Sequence, residues 1–313
     1  MGLITFQRAD QQRIGFVKNQ TVIDLLEAYA LKRLSEGAKV ADAISEASSL
    51  LGGDMLDLFN RFAEIIPVVK STVDFALSHL VGHQLGKAVF DLREVKLLMP
   101  LIRTRKVVVS GNAYRRDPAG LAVMLKPSTT LIGPDDTIIL PRNRTDYGIV
   151  WEIELALVIG KRGKYIEQKD AYEYIGGYTV YNDITDYGKQ LQAYDTMESK
   201  RVYHHPFRVQ EAKVGDTFCS IGPSIALKDE IQDPHSLSLK VWQNGKEIFS
   251  GSTNKMLVRV EEFVAYFSNL FTLEPGDIIT AGGAALGKLQ NGGTLEFEIE
   301  RIGRLRNNVS EER

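Results

Sequence analysis

Apolar positions follow two different rhythms along this chain, and the change falls near residue 100. Up to Leu26 two short strands are predicted, with Ile14, Phe16 and Val17 before the polar Lys18-Asn19-Gln20 and Val22-Ile23 after it. Asp24 then stands where a helix N-cap is expected. From there to about Phe90 the spacing is helical: Leu25, Leu26, Ala28 and Tyr29, then Val40, Ala43, Ile44 and Ala47, recur three to four residues apart. Gly52-Gly53 breaks that block, and Leu56, Phe59, Phe62 and Ile65 begin another. After Pro100 the chain turns to short β-rich runs separated by Gly, Pro, Asn and Asp. Strands are predicted at Lys106 to Ser110, Thr137 to Leu140, Trp151 to Ile159, Tyr178 to Asn182, Leu237 to Trp242 and Leu295 to Ile299. Asn244-Gly245 predicts a hairpin turn, because both residue types tolerate positive φ. Glu261 to Leu270 reads as a helix, and Glu274-Pro275-Gly276-Asp277 as a turn into a strand over Ile278 to Ala281. The change of rhythm places a domain boundary between residues 95 and 104, dividing the chain into 1–100 and 101–313, with no internal repeat.

Composition narrows the functional classes. A chain of 313 residues with 44% hydrophobic content can bury a large core as one or two domains. The 38 Lys plus Arg against 40 Asp plus Glu leave a net charge of -2, too little for a broad field that would draw in nucleic acid or a membrane surface. A single cysteine, Cys219, excludes an internal disulfide framework and a cysteine-built metal site, which fits a reducing compartment. The first residues lack a basic stretch followed by an apolar run, and no uninterrupted apolar segment could span a bilayer. A cytoplasmic protein is the resulting expectation.

Candidate chemistry begins in the run from Trp151 to Ile159. Trp151, Ile153, Leu155, Leu157 and Ile159 share one face of the predicted strand, so Glu152 and Glu154 lie together on the other. Ala156 and Val158 continue that second face, which points to an enclosed surface where two like charges repel and a divalent cation would offset the repulsion. A solvated strand face is the alternative. Asp183 ends the apolar run Tyr178-Thr179-Val180-Tyr181-Asn182, a place from which a carboxylate can be aimed into a cleft or can close an Asx turn. Three carboxylates without cysteine suit Mg²⁺ or Mn²⁺ better than Zn²⁺, with Ca²⁺ a further option.

The order of motifs resembles the fumarylacetoacetate hydrolase family from Lys106 to Val309. Leu125-Lys126-Pro127 with Leu131-Ile132-Gly133-Pro134 is similar to its F-x-K-P and I-G-P segment, and Trp151 to Gly160 to its W-E-x-E-L-A-x-V-I-G strand. Gly176-Gly177-Tyr178-Thr179 through Asn182-Asp183-Ile184-Thr185 resembles its G-Y-T-x-x-N-D-x-S turn, and Lys213-Val214-Gly215-Asp216-Thr217 its lysine with a following threonine. Asn244-Gly245, Leu273 to Ile279 and Ile302 to Asn307 complete the pattern. The resemblance implies an α+β chain, with a mixed β-sheet roll of the family's C-terminal type and a smaller N-terminal α/β domain, assembled as a homodimer. It implies Glu152, Glu154 and Asp183 as metal ligands, Lys213 as catalytic, and Lys126, Tyr187, Gln190, Thr217 and Gly283 at positions used for substrate.

Departures from the pattern bear on the reaction. Hydrolytic members carry an N-Y-x-D-H-A-like segment whose histidine activates water. Here the stretch is Asn112-Ala113-Tyr114-Arg115-Arg116-Asp117-Pro118-Ala119, Pro118 stands at the histidine position, and no histidine occurs between His83 and His204. Tyr187 replaces an arginine and Gly283 a threonine, whereas Gln190 and Lys213 are kept. A substitute base could come from His204-His205, Lys126 or Lys213.

Three functions follow from this reading. The first is carbon–carbon bond hydrolysis or a related lyase reaction on a 2-oxo or β-diketo acid through a metal-stabilised enolate. The second, motivated by the missing histidine, is dehydration of a 2-keto-3-deoxy sugar acid or decarboxylation of a 2-oxo acid. The third is a non-catalytic metal-binding homologue.

Overall fold

The computed structural model describes residues 2–79, 88–111, 113–114, 121–144, 148–189 and 209–312. Three strands open the chain rather than the expected two: β1 (Gly2–Arg8), β2 (Gln11–Lys18) and β3 (Thr21–Asp24). β1 is buried on both faces over Gly2–Phe6, so no polar alternation marks it in the sequence. Asp24 caps the first helix as expected, its Oδ1 accepting from Leu26 N and Glu27 N at 3.1 and 3.2 Å. The helical stretch resolves into α1 (Leu25–Ser35), α2 (Val40–Leu51), α3 (Met55–Asn60) and α4 (Phe62–His79). It ends earlier than its spacing suggests, since residues near Phe90 form the strand β4 (Val89–Asp91), paired with β3.

Short strands follow: β5 (Lys96–Leu98), β6 (Val107–Val109), β7 (Met124–Leu125), β8 (Leu131–Ile132) and β9 (Thr137–Leu140). The long β10 (Ile149–Ile159) and β11 (Ile175–Asp183) come next, then β12 (Thr185–Asp186), β13 (Cys219–Leu227), β14 (Ser238–Gln243) and β15 (Lys246–Ser252). Helix α5 (Val260–Leu270) precedes β16 (Ile278–Thr280), β17 (Ala285–Lys288), β18 (Gly293–Ile299) and β19 (Gly303–Glu311). Among the described residues these strands form two mixed sheets. The larger runs β4-β3-β2-β1-β13-β11-β10-β16-β6-β7, so β13 joins the N-terminal strands to the rest; the smaller runs β15-β14-β18-β19-β9. The hairpin at Asn244-Gly245 connects β14 to β15, with φ of 54° and 76° at its two turn residues.

β10 explains the layering. Its Trp151, Ile153, Leu155, Leu157 and Ile159 enter one core with Val241, Phe297 and Leu305 of the smaller sheet and Phe263 and Phe267 of α5. Its Ala156 and Val158 enter a second core with Tyr181, Ile221 and Ile225 and with Leu58, Phe59, Ile65 and Val69 of α3 and α4. Each large side chain buried this way stabilises the fold by about 1.5–3 kcal/mol. The result is an α+β fold in which one strand is covered on both sides.

Candidate metal centre

Register on the large sheet brings three carboxylates together. β10 and β11 pair antiparallel with Glu154 opposite Tyr181 and Ile153 opposite Asn182. One step further along the same register sets Asp183 beside Glu152 and diagonal to Glu154, on one face of the sheet. Ligand oxygens of Glu152, Glu154 and Asp183 all lie within 4.8 Å of one another. Glu154 and Asp183 are buried and Glu152 nearly so, its side chain 14% exposed. The solvated strand face is thereby excluded, because this face closes onto the second core one residue pair beyond Glu154.

Two lysines answer the three negative charges. Lys213, in the turn before β13, donates through Nζ to Glu152 Oε1 at 3.0 Å, to Thr185 Oγ1 at 2.8 Å and to Asp183 Oδ2. Thr185 Oγ1 donates in turn to Glu152 Oε1 at 2.8 Å. Lys126 lies behind the cluster, its side chain without exposed surface, and donates to the carbonyls of Lys213 at 2.6 Å and Phe218 at 2.8 Å. Its Nζ also stands 2.7 Å from Asp183 Oδ1, a close ion contact that is off the hydrogen-bond direction.

This arrangement leaves one negative charge uncompensated, and Glu154 bears the consequence. Burial, then Asp183 and Glu152, pushes its carboxyl well above the usual range. Burial also raises Asp183, but Lys126 and Lys213 outweigh it and hold that carboxyl below its ordinary value. Burial works against the charged form of Lys213, yet Asp183 and Glu152 raise it, so the ammonium stays protonated. Glu154 Oε2 and Asp183 Oδ1 are buried without a hydrogen bond among the described residues. Three carboxylates converging within reach of one another, with Glu154 Oε2 unpartnered among the described residues, fit a hard divalent cation.

The cluster opens onto a cleft of about 380 Å³ lined also by Ser110, Tyr114, Met124, Tyr187, Gly283 and Leu286. A larger cavity of about 620 Å³ lies elsewhere, between Arg61 and Phe62 on one side and Gly160 and Lys228 on the other. It contains none of the three clustered carboxylates, so size alone does not identify the site. Gly283 matters locally: a Cβ there would come within 2.9 Å of Glu152 Oε2. The glycine keeps that oxygen clear.

The structure thus gathers Glu152, Glu154, Asp183, Lys213, Tyr187 and Gly283 at one cleft. Two further positions expected for substrate are not on its lining. Lys126 is buried behind Asp183, its Nζ engaged by two backbone carbonyls and that carboxylate. Thr217 is absent from the cleft wall, and its Oγ1 accepts from Ile139 N at 2.9 Å. Lys213 has its ammonium engaged by three side chains and Lys126 by two backbone carbonyls and Asp183. Gln190, Pro118, His204 and His205 lie outside the described residues. Thr185 and Tyr114 enter the site without having been singled out; Thr185 fell within the N-D-I-T segment, which was the available signal.

Comparison with known proteins agrees with this geometry. Residues 105–310 match the model of the fumarylacetoacetate (FAA) hydrolase C-terminal domain, nearly the span over which the motifs run. The chain is similar to the mitochondrial oxaloacetate tautomerase FAHD2A of Bos taurus, 33% identical over 281 residues, covering 82% of this chain and 84% of that one. It is also similar to the crystal structure of maleylpyruvate hydrolase from Sphingobium sp. SYK-6 in complex with manganese(II) and pyruvate, with TM-score 0.72, 25% identity and both chains fully covered. A 2-hydroxyhepta-2,4-diene-1,7-dioate isomerase from Mycobacterium marinum superposes with TM-score 0.68 at 26% identity, covering 100% of this chain and 99% of that one. No helix among the described residues is long and apolar enough to cross a membrane. With its mixed-sheet α+β fold and the match over two thirds of its length, the chain belongs to the fumarylacetoacetate hydrolase family.

Proposed function

We propose that the protein is a divalent-metal-dependent enzyme that interconverts keto and enol forms of a 2-oxo acid, with Glu152, Glu154 and Asp183 holding the ion. The observation that carries this reading is the buried carboxylate cluster with Lys213 at the floor of a small cleft. Oxaloacetate, maleylpyruvate and 2-hydroxyhepta-2,4-diene-1,7-dioate, in the names of the similar proteins, are all 2-oxo acids or enols of one, which supports the substrate class. Once bound, Mg²⁺ or Mn²⁺ supplies Lewis-acid stabilisation to negative charge on the 2-oxo oxygen.

The chain's own residues supply the rest. Lys213 contributes a fixed positive charge at the oxyanion rather than a proton acceptor. Thr185 holds both Lys213 and Glu152 in place. Tyr114 and Tyr187 line the cleft, with Met124 and Leu286 as apolar wall for the carbon chain. Burial, with Glu154 nearby, pushes the Tyr114 hydroxyl above its ordinary range, which keeps it a donor at neutral pH.

Carbon–carbon hydrolysis is the second reading, favoured by the likeness to maleylpyruvate hydrolase. The dehydratase and decarboxylase readings gain no support from these names. A division of the chain near residue 100 and a homodimeric assembly belong to the same proposal, the former supported by the family match beginning at residue 105.

The test is decay of the ultraviolet absorbance of enol-oxaloacetate with purified protein and Mg²⁺ or Mn²⁺, alongside acylpyruvates assayed for cleavage. Catalysed decay that falls about 10²–10³-fold in Glu154→Ala supports tautomerisation. Cleavage of an acylpyruvate with no effect on enol decay would move the assignment to the hydrolase.

A further inference from the structure

We infer that Lys213 is a displaceable counter-ion: it holds the carboxylate cluster together in the metal-free protein and releases Asp183 and Glu152 when a divalent cation is taken up, turning its ammonium into the cleft. The inference deepens the metal-centre reading above and rests on it.

Asp183 carries the argument, because both of its oxygens already contact ammonium groups. Lys126 stands 2.7 Å from Oδ1, and Lys213 donates to Oδ2. A cation held by Asp183 must share or replace one of these contacts, and the two lysines are not equally free to leave. Lys126 has no exposed side-chain surface and also donates to two buried carbonyls, at 2.6 and 2.8 Å. Moving it would strand both carbonyls in the interior, which is costly for buried backbone groups. Lys213 has no such anchor, since its three partners are all side chains: Asp183, Glu152 and Thr185.

Position and charge favour the same lysine. Lys213 is part of the cleft lining, whereas Lys126 is not. A dication among Glu152, Glu154 and Asp183 repels an ammonium a few ångströms away and competes for the same oxygens. The dication adds two positive charges to the cluster, and a released ammonium then faces a cleft suited to an anionic acid. Metal uptake would therefore precede productive substrate binding.

Amine labelling followed by peptide mass spectrometry tests this directly on the full wild-type chain, with and without Mn²⁺. Lys213 is expected to acetylate at least about tenfold faster with Mn²⁺, while Lys126 stays protected in both states. Unchanged Lys213 labelling at saturating Mn²⁺ overturns the inference. Calorimetric titration adds a second arm: Lys213→Met should bind Mn²⁺ at least about tenfold tighter than wild type, and Lys213→Arg, which keeps the charge, about as wild type does. Should Lys213→Met fail to fold, Thr185→Val, which removes one anchor, should bind a few-fold tighter. Equal or weaker binding in the folded variant tells against displacement. Absence of Mn²⁺ binding by the wild type is a different result and defeats the metal-centre reading itself.

Discussion

On one face of β10, Trp151, Ile153, Leu155, Leu157 and Ile159 pack into the core between the two sheets; on the other, Glu152 and Glu154 are carried nearly as deep. The apolar face packs against Phe297, Val241 and Phe263, and among the described residues only the indole nitrogen of Trp151 on it lacks a hydrogen bond. The carboxylate face gathers three carboxyl groups against two lysines, and Glu154 Oε2 on it lacks a hydrogen bond among the described residues. Equal burial therefore has opposite energetic meaning on the two sides of one strand. A buried face that gathers like charges is the place to look for a ligand.

Mutation on either face should separate these roles. Leu155→Ala on the packed face should cost about 2–5 kcal/mol in urea unfolding, while leaving Mn²⁺ affinity of the folded protein near wild type. A comparable loss of Mn²⁺ affinity would mean that the faces are mechanically coupled. Glu154→Gln on the other face should leave the metal-free protein as stable or raise its stability by roughly 1 kcal/mol, because burial and the neighbouring carboxylates disfavour the charged form of Glu154. A clear destabilisation by the same measurement would show that the carboxylate is satisfied without a cation.

The packed face has a titrating group of its own. His235 Nε2 accepts from Val260 N at 3.1 Å, at the start of α5, and Nδ1 lies 3.3 Å from Asp233 Oδ1. Burial, then Arg259, lowers the His235 pKa, with Glu261 and Asp233 acting against them. A folded value depressed below the unfolded one of about 6.5 contributes stability that is present above that pH and is lost as pH falls through the folded value. Thermal midpoints should drop modestly below about pH 6.5, and His235→Gln should flatten that part of the profile. An unaltered slope in the variant would assign the acid sensitivity to other groups.

The sequence made one side of this comparison more legible than the other. Period-two alternation marked β10 and separated its faces, Asn244-Gly245 marked the β14–β15 hairpin, and the helix over Glu261 to Leu270 lies within one residue of α5. β13 went unread because Gly222 and Pro223 interrupt its apolar run, although it is central to the large sheet. The contacts of Lys126 were hidden for a different reason. Its partners are the carbonyls of residues 87 and 92 positions away and the carboxylate of Asp183, so only the fold shows that it supports the site from behind. Thr185 likewise acquires its role from Lys213 and Glu152, which local pattern cannot supply.

The central claim is that the carboxylate face of β10 is completed by a divalent cation. Mn²⁺ binding followed by electron paramagnetic resonance on metal-free protein tests it most directly. One tightly held ion per chain, abolished or weakened at least about a hundredfold in Glu154→Gln, is the predicted result. Undetectable binding by the wild type, or binding that survives unchanged in Glu154→Gln, would contradict it.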